Sequence, residues 1–133
     1  MKGLDTNILI RFLVRDDEEQ ADVVYRIFRQ AESDKSSFFV PSLVLLETIW
    51  VLESVYDISR QETIDAIKDL IQMPILEFEA HPAIQKFIHS AQESKTDLPD
   101  LLIGQIARFY GCEKVLTFDK KASECEIFEL IKC

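Results

Sequence analysis

An α/β fold with a mainly parallel sheet is predicted by three observations. Short apolar segments of strand length recur between longer segments in which apolar residues fall at helical spacing. No internal repeat, low-complexity stretch or linker breaks that alternation, and glycine and proline occur only three and four times. The 133 residues, 47% of them hydrophobic, suit a single domain over 1–133 whose core needs no disulfide. Strands alternating with helices imply right-handed crossovers and a sheet covered on both faces.

Each element follows from local chemistry. "KGLD" is short and apolar and reads as the first strand. "TNILIRFLV" continues with the helical pairs Ile8/Phe12 and Leu9/Leu13. Asp16-Asp17-Glu18-Glu19 places negative charge where a second helix begins, which suits the helix dipole. That helix carries Ala21, Val24, Ile27, Phe28 and Ala31 on one face. "SFFVP" reads as a strand ended by Pro41, and Ser42 is placed to cap the helix "SLVLLETIWVL".

Ser59 opens the next helix, with Glu62 completing a capping box and Ile64, Ile67, Leu70 and Ile71 facing the core. "ILEFE" alternates as a strand does. "HPAIQKFIHSAQES" is helical, with His81 at its start and His89 on its surface. "LPDLLIGQIARFYG" is a helix with Pro99 in its first turn and Gly111 as its stop signal. "KVLTFD" is a strand, a short helix runs from Lys120, and "EIFELIKC" is a last edge strand.

Composition narrows the function classes. Cys112, Cys125 and Cys133 are odd in number and form no C-x-x-C, as in a cytoplasmic protein with reduced thiols. No signal peptide precedes the first strand, and Glu47 interrupts the longest apolar run, which is too short to cross a bilayer. A net charge of −9 and a pI near 4.7 argue against nucleic-acid binding unless divalent cations offset some of the acids.

Four of those acids stand in apolar frames: "KGLDTN", "VLLETIW", "LPDLLI" and "VLTFDKK". Asp5 and Asp119 each end a strand, and ligands of open α/β sheets bind at the carboxyl ends of strands. Asp100 lies in the first turn of its helix and Glu47 in the second turn of its own. All four can therefore converge on one pocket. Local alternatives exist: Asp5 as a turn or cap residue, Asp119 as an N-cap, Asp100 as a dipole-favoured first-turn acid.

Glu47 is harder to explain locally. At about 100° per residue, Leu43 and Val51 flank it at about 40° on either side. A helix apolar nearly all round is expected to be buried, and a carboxylate there must pair, bind metal or hold a proton. A snorkelling or edge-exposed Glu47 is the alternative. Clustered carboxylates repel, and a hard cation with oxygen ligands, Mg²⁺ or Mn²⁺, is their natural partner. Neither histidine adjoins an acid and no Cys/His pair exists, which argues against zinc.

The sequence resembles a PIN domain, and within that family the VapC-type ribonuclease toxins. The resemblance spans nearly the whole chain and rests on "LDTNILIRFL", "PSLVLLETIWVL" and "DLPDLLIGQIARFYGCEKVLTFDKKA". It implies a three-layer α/β/α sandwich around a mainly parallel sheet and metal-dependent hydrolysis of RNA to 5′-phosphate and 3′-hydroxyl products. It matches Asp5, Glu47, Asp100 and Asp119 to the family's acidic quartet, as catalytic and metal-holding residues. It adds Asp97 as an accessory acid, with helix capping the alternative, and Thr6, Asn7 and Thr117 as polar neighbours that orient the acids.

Arg11, Arg15, Lys120 and Lys121 are then candidate RNA contacts on an acidic protein, against the alternative of ordinary solvated charges. The resemblance further implies an RNA substrate such as tRNA, a small antitoxin partner and a homodimer, with no membrane. Two rival functions share much of this pattern. One is an RNA-processing PIN nuclease outside toxin–antitoxin systems; the other is a metal-binding interaction module without turnover.

Overall fold

A computed structural model describes residues 1–133. The fold is α/β, with six helices and every strand pairing parallel. The chain folds as two compact units, Met1–Glu79 and Ala80–Cys133. The strands divide accordingly into a three-stranded sheet and a two-stranded one.

The first unit runs β1 (Lys2–Gly3), α1 (Thr6–Leu13), α2 (Glu18–Asp34), β2 (Phe38–Val40), α3 (Ser42–Ser54), α4 (Arg60–Ile71) and β3 (Leu76–Phe78). Strand order is β1-β2-β3, with Gly3 opposite Phe39 and Val40 opposite Phe78. Each pair of neighbouring strands is joined through two helices, as parallel pairing requires a long crossover. The core takes Leu9 and Ile10 from α1, Val24 and Phe28 from α2, Leu45, Ile49 and Leu52 from α3, and Ile64, Ile67 and Leu70 from α4. Phe12 stacks on both Tyr25 and Phe28, tying α1 to α2.

Helix starts follow local chemistry with one exception. Asp17 caps α2 by accepting the Gln20 N–H, and Ser59 caps α4 by accepting the Glu62 N–H at 3.1 Å. Ser42, expected to cap α3, does not. Pro41 occupies the N-cap position and Ser42 is already helical. The Ser42 N–H donates instead to Glu79 at 2.8 Å, and its hydroxyl is buried without a partner. The parallel register explains the substitution: Glu79 follows Phe78, which lies opposite Val40, so its carboxylate arrives beside the start of α3.

Two burial expectations are also corrected. Ile27 is 45% exposed, because Ala21, Val24, Phe28 and Ala31 define the buried stripe and Ile27 lies about 40° beyond its edge. Ile71 is half-buried, and Thr63 takes a core position in its place, its hydroxyl donating to the Ser59 carbonyl.

The second unit runs α5 (His81–Glu93), α6 (Leu98–Phe109), β4 (Val115–Thr117), a 3₁₀ turn (Ala122–Glu124) and β5 (Phe128–Leu130). Helices α5 and α6 pack together, burying Ala83, Ile84, Phe87, Leu101 and Leu102. Gly104 lets α6 approach Ile127, since a Cβ there would stand 2.9 Å from its Cγ2. Gly111 ends the helix region at φ 92°, a left-handed conformation that favours glycine. Strands β4 and β5 pair from Val115–Phe128 to Thr117–Leu130 around a small core of Ala122, Ile127 and Phe128. No helix is long and apolar enough to cross a membrane.

Candidate functional site

In the first unit Asp5 ends β1 and occupies the N-cap position of α1. Its carboxylate makes no capping bond, so it is not consumed by the helix. Thr6 is the first helical residue and is buried. Its hydroxyl donates to Glu47 Oε1, joining the start of α1 to the second turn of α3. Asn7 is exposed beside them.

Glu47 itself is exposed, not buried as the apolar sequence of α3 predicted. The helix buries Leu45, Thr48, Ile49 and Leu52, while Leu43 and Trp50 on the face of Glu47 are 77% and 55% exposed. An all-apolar helix has no polar stripe to mark its outer side. Hydrogen bonding by Thr6, rather than burial, therefore fixes the Glu47 carboxylate.

In the second unit three carboxylates gather. Asp97 occupies the N-cap position of α6 without making a side-chain cap bond, and it pairs with Lys121 at 3.4 Å. Asp100 lies half-buried in the first turn. Burial pushes its carboxyl up from the ordinary value, the charges of Asp97 and Asp119 add to that, and Lys121 opposes it. Asp119 follows β4 and is exposed. Its Oδ1 accepts the backbone N–H groups of Lys121 (2.9 Å) and Ala122 (3.3 Å). Its own N–H donates to Thr117 Oγ1 at 3.0 Å, so Thr117 orients the turn that carries Asp119. The capping alternative for Asp119 is thus realised, while its second carboxylate oxygen takes no part in that cap.

The basic residues divide. Arg11 bonds Gln20 at 2.7 Å and Asp16 at 3.4 Å, and Arg15 bonds Glu18 and Asp22 while lying over the Tyr25 ring. Those bonds to Glu18 and Asp22 hold the Arg15 guanidinium above its ordinary pKa. Both arginines are paired with acids at and after the α1–α2 turn. Lys121 is shared with Asp97, and the Lys120 side chain forms no ion pair.

Two further residues escaped the sequence reading. Glu79 holds the first turn of α3, the helix that carries Glu47. Tyr56 donates to Asp16 at 2.6 Å, adding the end of α3 to the Arg11 network. Only parallel pairing of β2 with β3 could have pointed to Glu79, and nothing local pointed to Tyr56. A concavity of about 600 Å³ is mostly apolar and lined by Leu4, Ile8, Val24, Ile27 and Phe38. None of the candidate site residues lines it.

Both acid sets offer oxygen donors only; burial raises Asp100 most, and the repulsion from Asp97 and Asp119 that adds to it is what a hard divalent cation would relieve. The donor chemistry therefore fits Mg²⁺ or Mn²⁺. No group of three or more His, Cys, Asp or Glu side chains is arranged to hold a metal ion.

Comparison with known proteins adds the following. The PIN domain family matches residues 3–126. A VapC ribonuclease of Aquifex aeolicus (strain VF5) is 25% identical over 121 residues, covering 91% of this chain and 89% of the relative. No solved structure matches significantly.

Proposed function

The chain belongs to the PIN domain family, and from that premise we propose that it is a divalent-metal-dependent endoribonuclease, the toxin of a toxin–antitoxin pair. The observation that carries the reading is the gathering of Asp97, Asp100 and Asp119, whose charges oppose ionisation of Asp100. Such crowding serves no packing purpose and is balanced by a bound cation. The relative described as a VapC ribonuclease supports the choice of RNA.

In this mechanism Asp5, Glu47, Asp100 and Asp119 would hold metal, directly or through water. Bound metal would lower the pKa of an attacking water and stabilise the charge on the leaving oxygen. The protein's own side chains do the positioning. Thr6 holds one Glu47 oxygen, which leaves the other free for a ligand or water. Thr117 and the backbone of Lys121 and Ala122 fix Asp119. Lys121 steadies Asp97, and Lys120 supplies a charge for a flanking phosphate. The protein works in the cytoplasm as a homodimer, held in check by a small antitoxin.

The test is cleavage of a panel of tRNAs and structured RNAs with Mg²⁺ or Mn²⁺, with chelator, and with Asp5→Asn. Cleavage that needs metal and falls by more than about 100-fold in the variant supports the reading, since even residues that only orient metal ligands contribute about 10- to 100-fold. Folded protein that binds metal but cleaves no RNA would favour an interaction module.

A further inference from the structure

Phe118 stands between Thr117 and Asp119 and is 70% exposed. Most of the chain's phenylalanines are buried or half-buried, and leaving such a ring in water forgoes the hydrophobic gain of burial. The ring sits on a rigid mount rather than a loose loop. Thr117 ends β4 in register with Leu130 of β5, and its hydroxyl accepts the Asp119 N–H. The Asp119 carboxylate in turn accepts two backbone N–H groups of the following turn. Lys120, next in sequence, carries an ammonium with no acidic partner.

An exposed aromatic, a carboxylate of the proposed metal site and an unpaired lysine therefore occupy consecutive positions. A nucleotide presents the complement: a flat base, a phosphate that metal and lysine attract, and a short sugar between them. Base stacking on an aromatic side chain is sequence-tolerant and needs no hydrogen-bond partner around the ring. The surroundings of Phe118 fit that requirement.

We propose that Phe118 is a stacking platform for a nucleobase beside the scissile phosphate, with Lys120 contacting the adjoining phosphate. The inference rests on the nuclease reading and deepens it by naming a base-binding subsite. Phe118 is a binding residue, so its loss acts on RNA affinity more than on the chemical step. Leu116, on the same side of β4, is also exposed, and a protein partner covering both side chains is the competing explanation.

The experiment measures KM and kcat for cleavage, and Kd in chelator, with single-stranded oligo(A) and oligo(U) as probes. Phe118→Ala, Phe118→Leu, Phe118→Tyr and Asp119→Asn are compared with the parent, and each variant's oligomeric state is read by light scattering. Phe118→Ala should raise KM and Kd by about 5- to 150-fold, the equivalent of about 1–3 kcal/mol of stacking, with kcat changed far less. Phe118→Tyr should restore affinity and Phe118→Leu should not, and the loss should be larger for oligo(A). An abasic site at the stacked position should erase the difference between parent and Phe118→Ala.

Unchanged RNA affinity in Phe118→Ala, or full rescue by leucine, overturns the platform while leaving the nuclease standing. A change of oligomeric state with unchanged RNA affinity assigns the ring to a protein interface instead. A parent protein that neither binds nor cleaves RNA overturns the nuclease reading and the platform with it.

Discussion

The first unit fixes its acids with a hydrogen bond, while the second crowds them until they oppose one another. Glu47 is exposed yet held by the buried Thr6 hydroxyl, and Asp5 is left without a capping duty. Asp100 is half-buried with two like charges acting on it and one lysine easing the strain. The difference separates two tasks that the proposed metal sites would need. One set of carboxylates is organised without a ligand; the other would gain stability from a cation.

The largest expected effects test the first half of that contrast. Glu47→Gln keeps the acceptor for Thr6 but removes the charge, so the fold should survive while cleavage falls by more than about 100-fold. Thr6→Val keeps the charge and removes its tether, which should lower metal affinity or turnover by about 10- to 100-fold. Thr6→Ser should recover most of that loss. Cleavage assays with Mn²⁺ titrations check all three. If Thr6→Val cleaves like the parent, organisation by the hydrogen bond is not part of the site.

The second half of the contrast predicts stabilisation by metal. A cation that binds only the folded protein adds about 2.7 kcal/mol at 100 times its dissociation constant, which is several degrees in melting temperature. Mn²⁺ should raise the melting temperature of the parent and raise that of Asp100→Asn much less. Equal shifts in both would show that Asp100 does not serve as a ligand.

The sequence made some of these features readable and hid others for physical reasons. Ser59 at the start of α4, the acids in the first turn of α2 and Gly111 past the end of α6 are local signals, and the structure places all three as expected. The four acids were found because each interrupts an apolar run. The outward facing of Glu47 was open only as the alternative to burial, since α3 is apolar on its exposed face as well. The capping of α3 by Glu79 was hidden because its partner lies 37 residues away and meets it only through strand register. Arg11 and Arg15 stood open between RNA contact and solvated charge because their partners, Asp16, Gln20, Glu18 and Asp22, become neighbours only once α1 turns into α2.

The smallest effect is also the one with a definite sign. Asp100 is raised and Asp16 is lowered, the latter mainly by the Tyr56 hydroxyl with help from Arg11. Well below both its folded and its unfolded value, each group is protonated in folded and unfolded chains and contributes nothing. As pH rises from 3.8 through the folded value of Asp100, the folded state binds the extra proton and stability from this group declines. Asp16 runs the other way: its contribution is present above 3.8 and is lost as pH falls through its lower folded value.

In chelator, Asp100→Asn should therefore become more stable than the parent as pH increases from about 3 to about 7, and Tyr56→Phe should become less stable over the same range. Urea unfolding at several pH values reads both. Opposite slopes would confirm that the second unit's acids are strained until neutralised and the first unit's are already satisfied; parallel slopes would remove the contrast.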